Sequence, residues 1–178
     1  MARCFVGYLL PEENKSEIVK LQSEIEKWPL KCKMVERENL HINFSFLGEV
    51  KESEIERIKE EIEKISKEFK KMEVEMNGLV AIPNESYIRV LALKVVGDEN
   101  LSRLFDEVVK RIGGDSKPPH ITLCRVKAID NKKEVRENVE REKHKTHGKF
   151  IINSIQLIKS ELKPSGPIYT ILHSSELV

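Results

Sequence analysis

The sequence predicts an α+β fold with largely antiparallel sheets, and three observations carry that expectation. Strand-like and helix-like segments alternate without the even βαβαβ spacing of a doubly wound sheet. An approximate internal echo, a helix followed by a strand that opens His-Ile, occurs twice, once as "HINF" from His41 and once as "HITL" from His120. At 178 residues the chain is long for one small domain and short for two independent ones. A single domain over residues 1–178, made of two similar lobes that each carry one copy of the echo, is therefore expected.

The elements read in order as follows. Arg3–Leu10 is apolar and extended, and Pro11-Glu12-Glu13 opens a helix to about Trp28, with proline and acids suited to a helix start. Leu30–Glu36 is extended and leads through "RENL" to a strand at His41. Ser53-Glu-Ile-Glu56 matches a capping box for a helix with Ile55, Ile58, Ile62, Ile65 and Phe69 on one face. Its outer face is nearly solid Glu and Lys, the composition of a solvated surface. Two extended segments follow, Lys71–Pro83 and Ser86–Val96, around the turn Pro83-Asn84-Glu85. Asp98 caps a helix whose stripe runs from Leu101 to Ile112 and which Gly113-Gly114 ends. Pro118-Pro119 keeps the chain extended into the strand from His120. Asp130 starts a charged helix to about Lys145, and strands over Lys149–Glu161 and Ile168–Ser174 close the chain.

Composition removes several classes of function. No apolar run approaches the length of a membrane span, and the N-terminal residues do not read as a signal peptide, so a cytoplasmic protein without membrane contact is expected. Cys4, Cys32 and Cys124 lack paired spacing, which argues against a disulfide framework or a cysteine zinc site. Charged residues make up 34%, with only two glutamines, the balance of a protein from a hot environment. A net charge of +1 neither supports nor excludes nucleic acid, because a local basic patch would suffice.

Chemistry concentrates on the two echoed strands. At period two, His41, Asn43 and Ser45 share one face of the first while Ile42, Phe44 and Phe46 face the core. His120, Thr122 and Cys124 share one face of the second while Ile121 and Leu123 face the core. Each strand thus offers an imidazole and, two residues on, a hydrogen-bond donor. Two imidazoles facing each other suit a reaction needing one proton removed and one delivered near neutral pH. Paired donors suit phosphate oxygens, so phosphodiester cleavage or cyclic-phosphate hydrolysis without a metal is one reading. Others stay open at this level. These include a metal site, a Cys124 thiolate nucleophile, surface roles for His144 and His147, and a structural His173. A phosphate-cradling loop is absent, since Gly113-Gly114 ends a helix instead of starting one.

Beyond the residues, "VERENLHINFSFLGE" and "KPPHITLCRVK" resemble the two signature segments of the 2′-5′ RNA ligase-like, or RNA 2′,3′-cyclic phosphodiesterase, branch of the two-histidine phosphoesterases. "RCFVGYLLP", "GLVAIPNESYIRVLALKV" and "SELKPSGPIYTIL" are similar to that family's opening strand, central hairpin and closing segment. The resemblance implies a bilobal fold of two antiparallel sheets with outer helices and pseudo-two-fold symmetry about a central cleft. It also implies opening of a 2′,3′-cyclic phosphate at an RNA end to a 2′-phosphate, with no metal or cofactor, and 2′-5′ joining as a related capability. RNA with such an end, tRNA halves included, would be the partner of a monomeric enzyme.

Carried over by residue, His41 and His120 would be the acid/base pair, with His120 the base and His41 the acid. Thr122 would bind a phosphate oxygen, Arg125 and Arg89 phosphate or backbone, and Phe5 a base. Strict alternation from His120 would turn Arg125 away, so the strand must end, twist or bulge before it. Asn43 departs from the family's Thr or Ser, and its amide is longer and planar. That departure supports two rival readings: a non-catalytic module for RNA ends or nucleotides, or the same chemistry on small cyclic nucleotides or 2′-5′ oligoadenylates.

Overall fold

The computed structural model describes residues 1–178. β1 (Ala2–Leu9) leads through a 3₁₀ turn at Glu12–Asn14 into α1 (Ser16–Ile25). β2 (Leu30–Met34) and a second 3₁₀ turn, Arg37–Asn39, precede β3 (His41–Val50) and α2 (Glu52–Glu68). The hairpin of β4 (Met72–Asn84) and β5 (Tyr87–Val96) is followed by α3 (Glu99–Arg111), β6 (His120–Ile129) and α4 (Lys132–Glu142). β7 (Thr146–Ile152), β8 (Ser154–Lys163) and β9 (Gly166–Glu176) complete the chain.

Two antiparallel sheets result, one in the order β3-β1-β8-β9 and the other β2-β6-β5-β4-β7. The four-stranded sheet is covered by α2 and α3, the five-stranded one by α1 and α4. This is the expected α+β architecture with two pseudo-symmetric lobes. The helices are exchanged between lobes: α1 follows a strand of the first sheet yet packs on the second, and α3 does the reverse. One apolar cluster runs through both, including Ile18 and Ile121 from one side and Phe44 and Ile62 from the other. Phe44 meets Phe105 of α3 edge-on at 5.2 Å. Burial of such side chains contributes about 1.5–3 kcal/mol each.

Local departures from the sequence reading have physical causes. The first helix is shorter than expected because Pro11, with φ −64° and ψ 150°, starts a 3₁₀ turn before α1. Ser53 does not cap α2: Lys51 is the extended residue at the boundary, so Ser53 lies inside the first turn, where Glu52 and Glu54 face the helix dipole. Asp98 does cap α3, accepting from the Asn100 amide at 2.8 Å. The α4 cap is Asn131, not Asp130, and accepts from the Glu134 amide at 3.1 Å. The run 149–161 is two strands in different sheets, separated at Asn153, whose carbonyl accepts from the Leu177 amide at 2.9 Å. No helix is long and apolar enough to cross a membrane.

Candidate active site

β3 and β6 repeat one plan residue by residue. From the histidine onward, His41 to Phe46 and His120 to Arg125 show the same order of burial: half-buried, buried, half-buried, buried, buried, exposed. The shared irregularity is a β-bulge. In β3 the register passes from Asn43 opposite Gly7 to Ser45 opposite Val6, leaving Phe44 as the extra residue. In β6 it passes from Thr122 opposite Ala92 to Cys124 opposite Leu91, leaving Leu123 extra. Each bulge inverts the alternation beyond it.

The inversion corrects part of the sequence reading. Ser45 and Cys124, expected on the histidine faces, turn inward and are 0% exposed. Phe46, expected in the core, turns outward and lies under the Arg3 guanidinium at 4.9 Å. Arg125 pairs opposite Val90, on the face that holds Lys94 opposite His120 and Ala92 opposite Thr122. The bulge is thus what brings Arg125 onto the His120 face. It also disposes of the thiolate alternative, since burial pushes the Cys124 thiol up to about 12.

Both imidazoles are fixed in the same way. His41 Nδ1 lies 2.7 Å from the Asn39 carbonyl, and His120 Nδ1 lies 2.8 Å from the Pro118 carbonyl, in each case two residues back along the chain. A carbonyl only accepts, so each Nδ1 carries the proton and each Nε2 is left for chemistry. His41 is further enclosed by the Phe5 ring, 4.8 Å between centroids, and by Tyr169 at 5.3 Å. Burial pulls its basicity down to about 4 against the support of the Asn39 carbonyl, and the nearby His120 and the Arg125 guanidinium add a field that lowers it further. That field ties the two motifs into one site, where β3 and β6 approach each other.

Small residues stand across from both donors. Gly7 lies opposite Asn43 and Ala92 opposite Thr122, and at Gly7 a Cβ would run into the Ile42 carbonyl oxygen at 2.5 Å, so the strand backbones approach closely there. The two motifs are also tied to each other. Ser45 Oγ donates to the Gly113 carbonyl at 2.6 Å, and Phe46 and Asp115 exchange backbone hydrogen bonds at 2.8 and 2.9 Å. Gly114 makes this approach feasible: at φ +94°, a Cβ there would sit 2.2 Å from Ser45 Oγ. The same loop leads through Pro118-Pro119 into His120. On the other side, Gln22 of α1 donates to the carbonyls of Leu123 and Val35 at 3.0 and 3.1 Å, holding the β6 bulge from behind.

Phe5 takes a place other than the one the resemblance gave it, and Arg89 lies apart from the two histidines. Phe5 is 3% exposed and packs on His41 and Tyr169, which leaves its ring no face for a base. Arg89 lines a separate cavity at the hairpin end of β5 and leans on Tyr87. His173 lies 2.8 Å from Glu63 and His147 3.8 Å from Glu142, both away from the motifs. No group of three or more His, Cys, Asp or Glu side chains gathers in metal-holding geometry. Tyr169, Gly7, Ala92, Gln22 and the Ser45–Gly113 tie are not marked by the sequence. The tyrosine's only signal was its place in "SGPIYTIL"; the others depend on register and tertiary contact.

Two lobes, each presenting a histidine and a donor two residues on from facing strands, define a two-histidine phosphoesterase. The chain belongs to the LigT-like phosphoesterase family, whose model matches residues 9–92 and 94–169. It is 36% identical over 176 residues to the RNA 2′,3′-cyclic phosphodiesterase of Methanocaldococcus jannaschii, covering 96% of this chain and 98% of that one. It is 30% identical over 174 residues to the protein of the same description from Methanothermobacter thermautotrophicus, covering 94% and 95%. The crystal structure of TT0787 from Thermus thermophilus superposes with a TM-score of 0.80 at 27% identity, covering 98% and 97%. Escherichia coli LigT complexed with 3′-AMP has the same fold, with a TM-score of 0.77 at 20% identity over 99% and 98%.

Proposed function

We propose that this protein hydrolyses the 2′,3′-cyclic phosphate at an RNA end to a 2′-phosphate, with His41 and His120 as the proton-transfer pair. The observation that carries the reading is the matched presentation of two Nε2 atoms on facing strands, in a chain whose relatives are RNA 2′,3′-cyclic phosphodiesterases. His120 takes a proton from the attacking water, the new bond forms between that oxygen and phosphorus, and the phosphorus–O3′ bond breaks. His41 protonates the departing O3′. Thr122 and Asn43 donate to the non-bridging oxygens and Arg125 offsets their charge. A ribose 5′-hydroxyl in place of water gives a 2′-5′ linkage by the same transfers.

The low basicity of His41 bears on its part as the acid. With the site empty it is neutral at pH 7, held so chiefly by burial and in part by the positive charge of Arg125. A phosphate anion cancels that positive field, so substrate entry raises His41 toward the range where it holds a proton. Tyr169 and Phe5 keep the ring in place through the change.

The test is an oligoribonucleotide ending in a 2′,3′-cyclic phosphate, incubated with the protein in chelator. The expected product is the 2′-phosphate, with turnover lost in His41→Ala and His120→Ala. A 3′-phosphate product, or binding of the end without turnover, contradicts the proposal; the latter outcome identifies a binding module.

A further inference from the structure

A cavity of about 380 Å³ lies where β5 begins, β6 ends and α4 starts. Arg89, Lys127, Lys132 and Arg136 line it, and Glu85 is its single carboxylate. Glu85 is already 3.6 Å from Lys143, and none of the four cations has a carboxylate within ion-pair distance. Lys132 and Arg136 are one helical turn apart on α4 and form one wall, while Arg89 and Lys127 come from strands on the other. Tyr87 stands among them 63% exposed, its ring 6.0 Å from the Arg89 guanidinium carbon. Four unpaired cations in one cavity repel each other, and a polyanion relieves that cost.

The position of the cavity says which polyanion. From His120 to Lys127 the chain follows β6 for about 20 Å at ordinary strand rise. A ligand that fills the cavity while its end lies between the imidazoles must be a polymer of phosphates. Arg125, exposed and two residues before Lys127, is a further cation on the stretch of β6 between the two places. An exposed aromatic ring beside arginine is the platform that an unpaired base stacks on.

We infer that this cavity binds the phosphodiester backbone of the same RNA strand some nucleotides before its cyclic end, with Tyr87 stacking a base. The inference rests on the activity proposed above for the choice of strand. The site makes affinity depend on strand length, and it is separate from the residues that handle the reacting phosphate.

Fluorescence anisotropy on oligoribonucleotides ending in a 2′-phosphate tests it without requiring turnover. The wild type is expected to bind a 12-mer about tenfold or more tightly than a dinucleotide. Lys132→Ala/Arg136→Ala removes most of that advantage, and its log-affinity against log-salt slope falls by about 1.4, roughly 0.7 for each lost phosphate contact. Lys132→Arg/Arg136→Lys keeps both the advantage and the slope. Equal affinity for the two lengths, or a length advantage that the alanine pair retains, overturns the site. Competition by poly-aspartate as effective as that by RNA of equal charge overturns the assignment to RNA. Failure to open a cyclic end while the length dependence holds removes the proposed activity and leaves this site standing.

Discussion

β3 and β6 share a scaffold and divide the work. Both start with a histidine whose Nδ1 donates to the carbonyl two residues back, both bulge at the fourth residue, and both expose the sixth. What differs is what hangs on the frame. The sixth residue is Phe46 on one strand and Arg125 on the other, and the third is Asn43 opposite Gly7 against Thr122 opposite Ala92. The fifth turns inward on both, as Ser45 tying β3 to the Gly113 carbonyl or as Cys124 sealed in the core. His41 alone sits in an aromatic enclosure of Phe5 and Tyr169. The repeated backbone delivers two imidazoles in matched orientation, and unequal side chains make one half aromatic and enclosed while the other carries the Arg125 guanidinium.

The likeness of the two strands is probed most severely at the histidines. His41→Ala and His120→Ala are each expected to lower kcat by about 10²–10⁴ in single-turnover opening of a cyclic-phosphate end. A small loss at one and a large loss at the other would show unequal parts. Next comes the third position. Thr122→Ala should cost about 2–4 kcal/mol of transition-state stabilisation, measured as kcat/KM. Asn43→Thr should retain activity, because the hydroxyl supplies a donor at the position that Thr122 holds on the matching strand; a loss as large as that of Thr122→Ala would mean that the amide geometry itself is required.

The tie between the halves is tested by Gly114→Ala. It is expected to destabilise the fold by about 1–3 kcal/mol in urea unfolding, through the positive φ and the contact with Ser45. An unchanged midpoint would show that the loop gives way at no cost. The smallest effect is electrostatic. The His41 ring has a basicity near 4 in the fold against 6.5 when unfolded, so the unfolded state binds more protons between those values. This group's contribution to stability is complete above pH 6.5 and is lost as pH falls toward 4. About 1–2 kcal/mol is expected after solvent screening. His41→Gln should flatten that slope of urea midpoint against pH, and an unaltered slope would place the loss elsewhere.

Much of this was legible from residues alone. Alternation marked both motif strands, the Asp98 cap and the Gly113-Gly114 stop were read at their positions, and the two histidines stood out by repetition. The bulges were legible only as a demand, from the need to turn Arg125. Their effect on Ser45, Cys124 and Phe46 is invisible to a strict period of two, which holds only up to the irregularity. The enclosure of His41 joins β1, β3 and β9, and the Gln22 support joins α1 to β6 across 101 positions. No local pattern encodes contacts between segments so far apart. The strand that holds Phe5 is recognisable from sequence, while the burial of its ring between His41 and Tyr169 is not.

On the proposed mechanism the two strands act as one proton-transfer unit on a single phosphate. Single-turnover rates of His41→Ala, His120→Ala and the double variant on the same cyclic-phosphate oligoribonucleotide decide whether they do. If the imidazoles act together, the double variant is about as slow as the slower single one, because removing either partner already disables the pair. Losses that multiply in the double variant would contradict a joint unit, since each histidine would then contribute on its own.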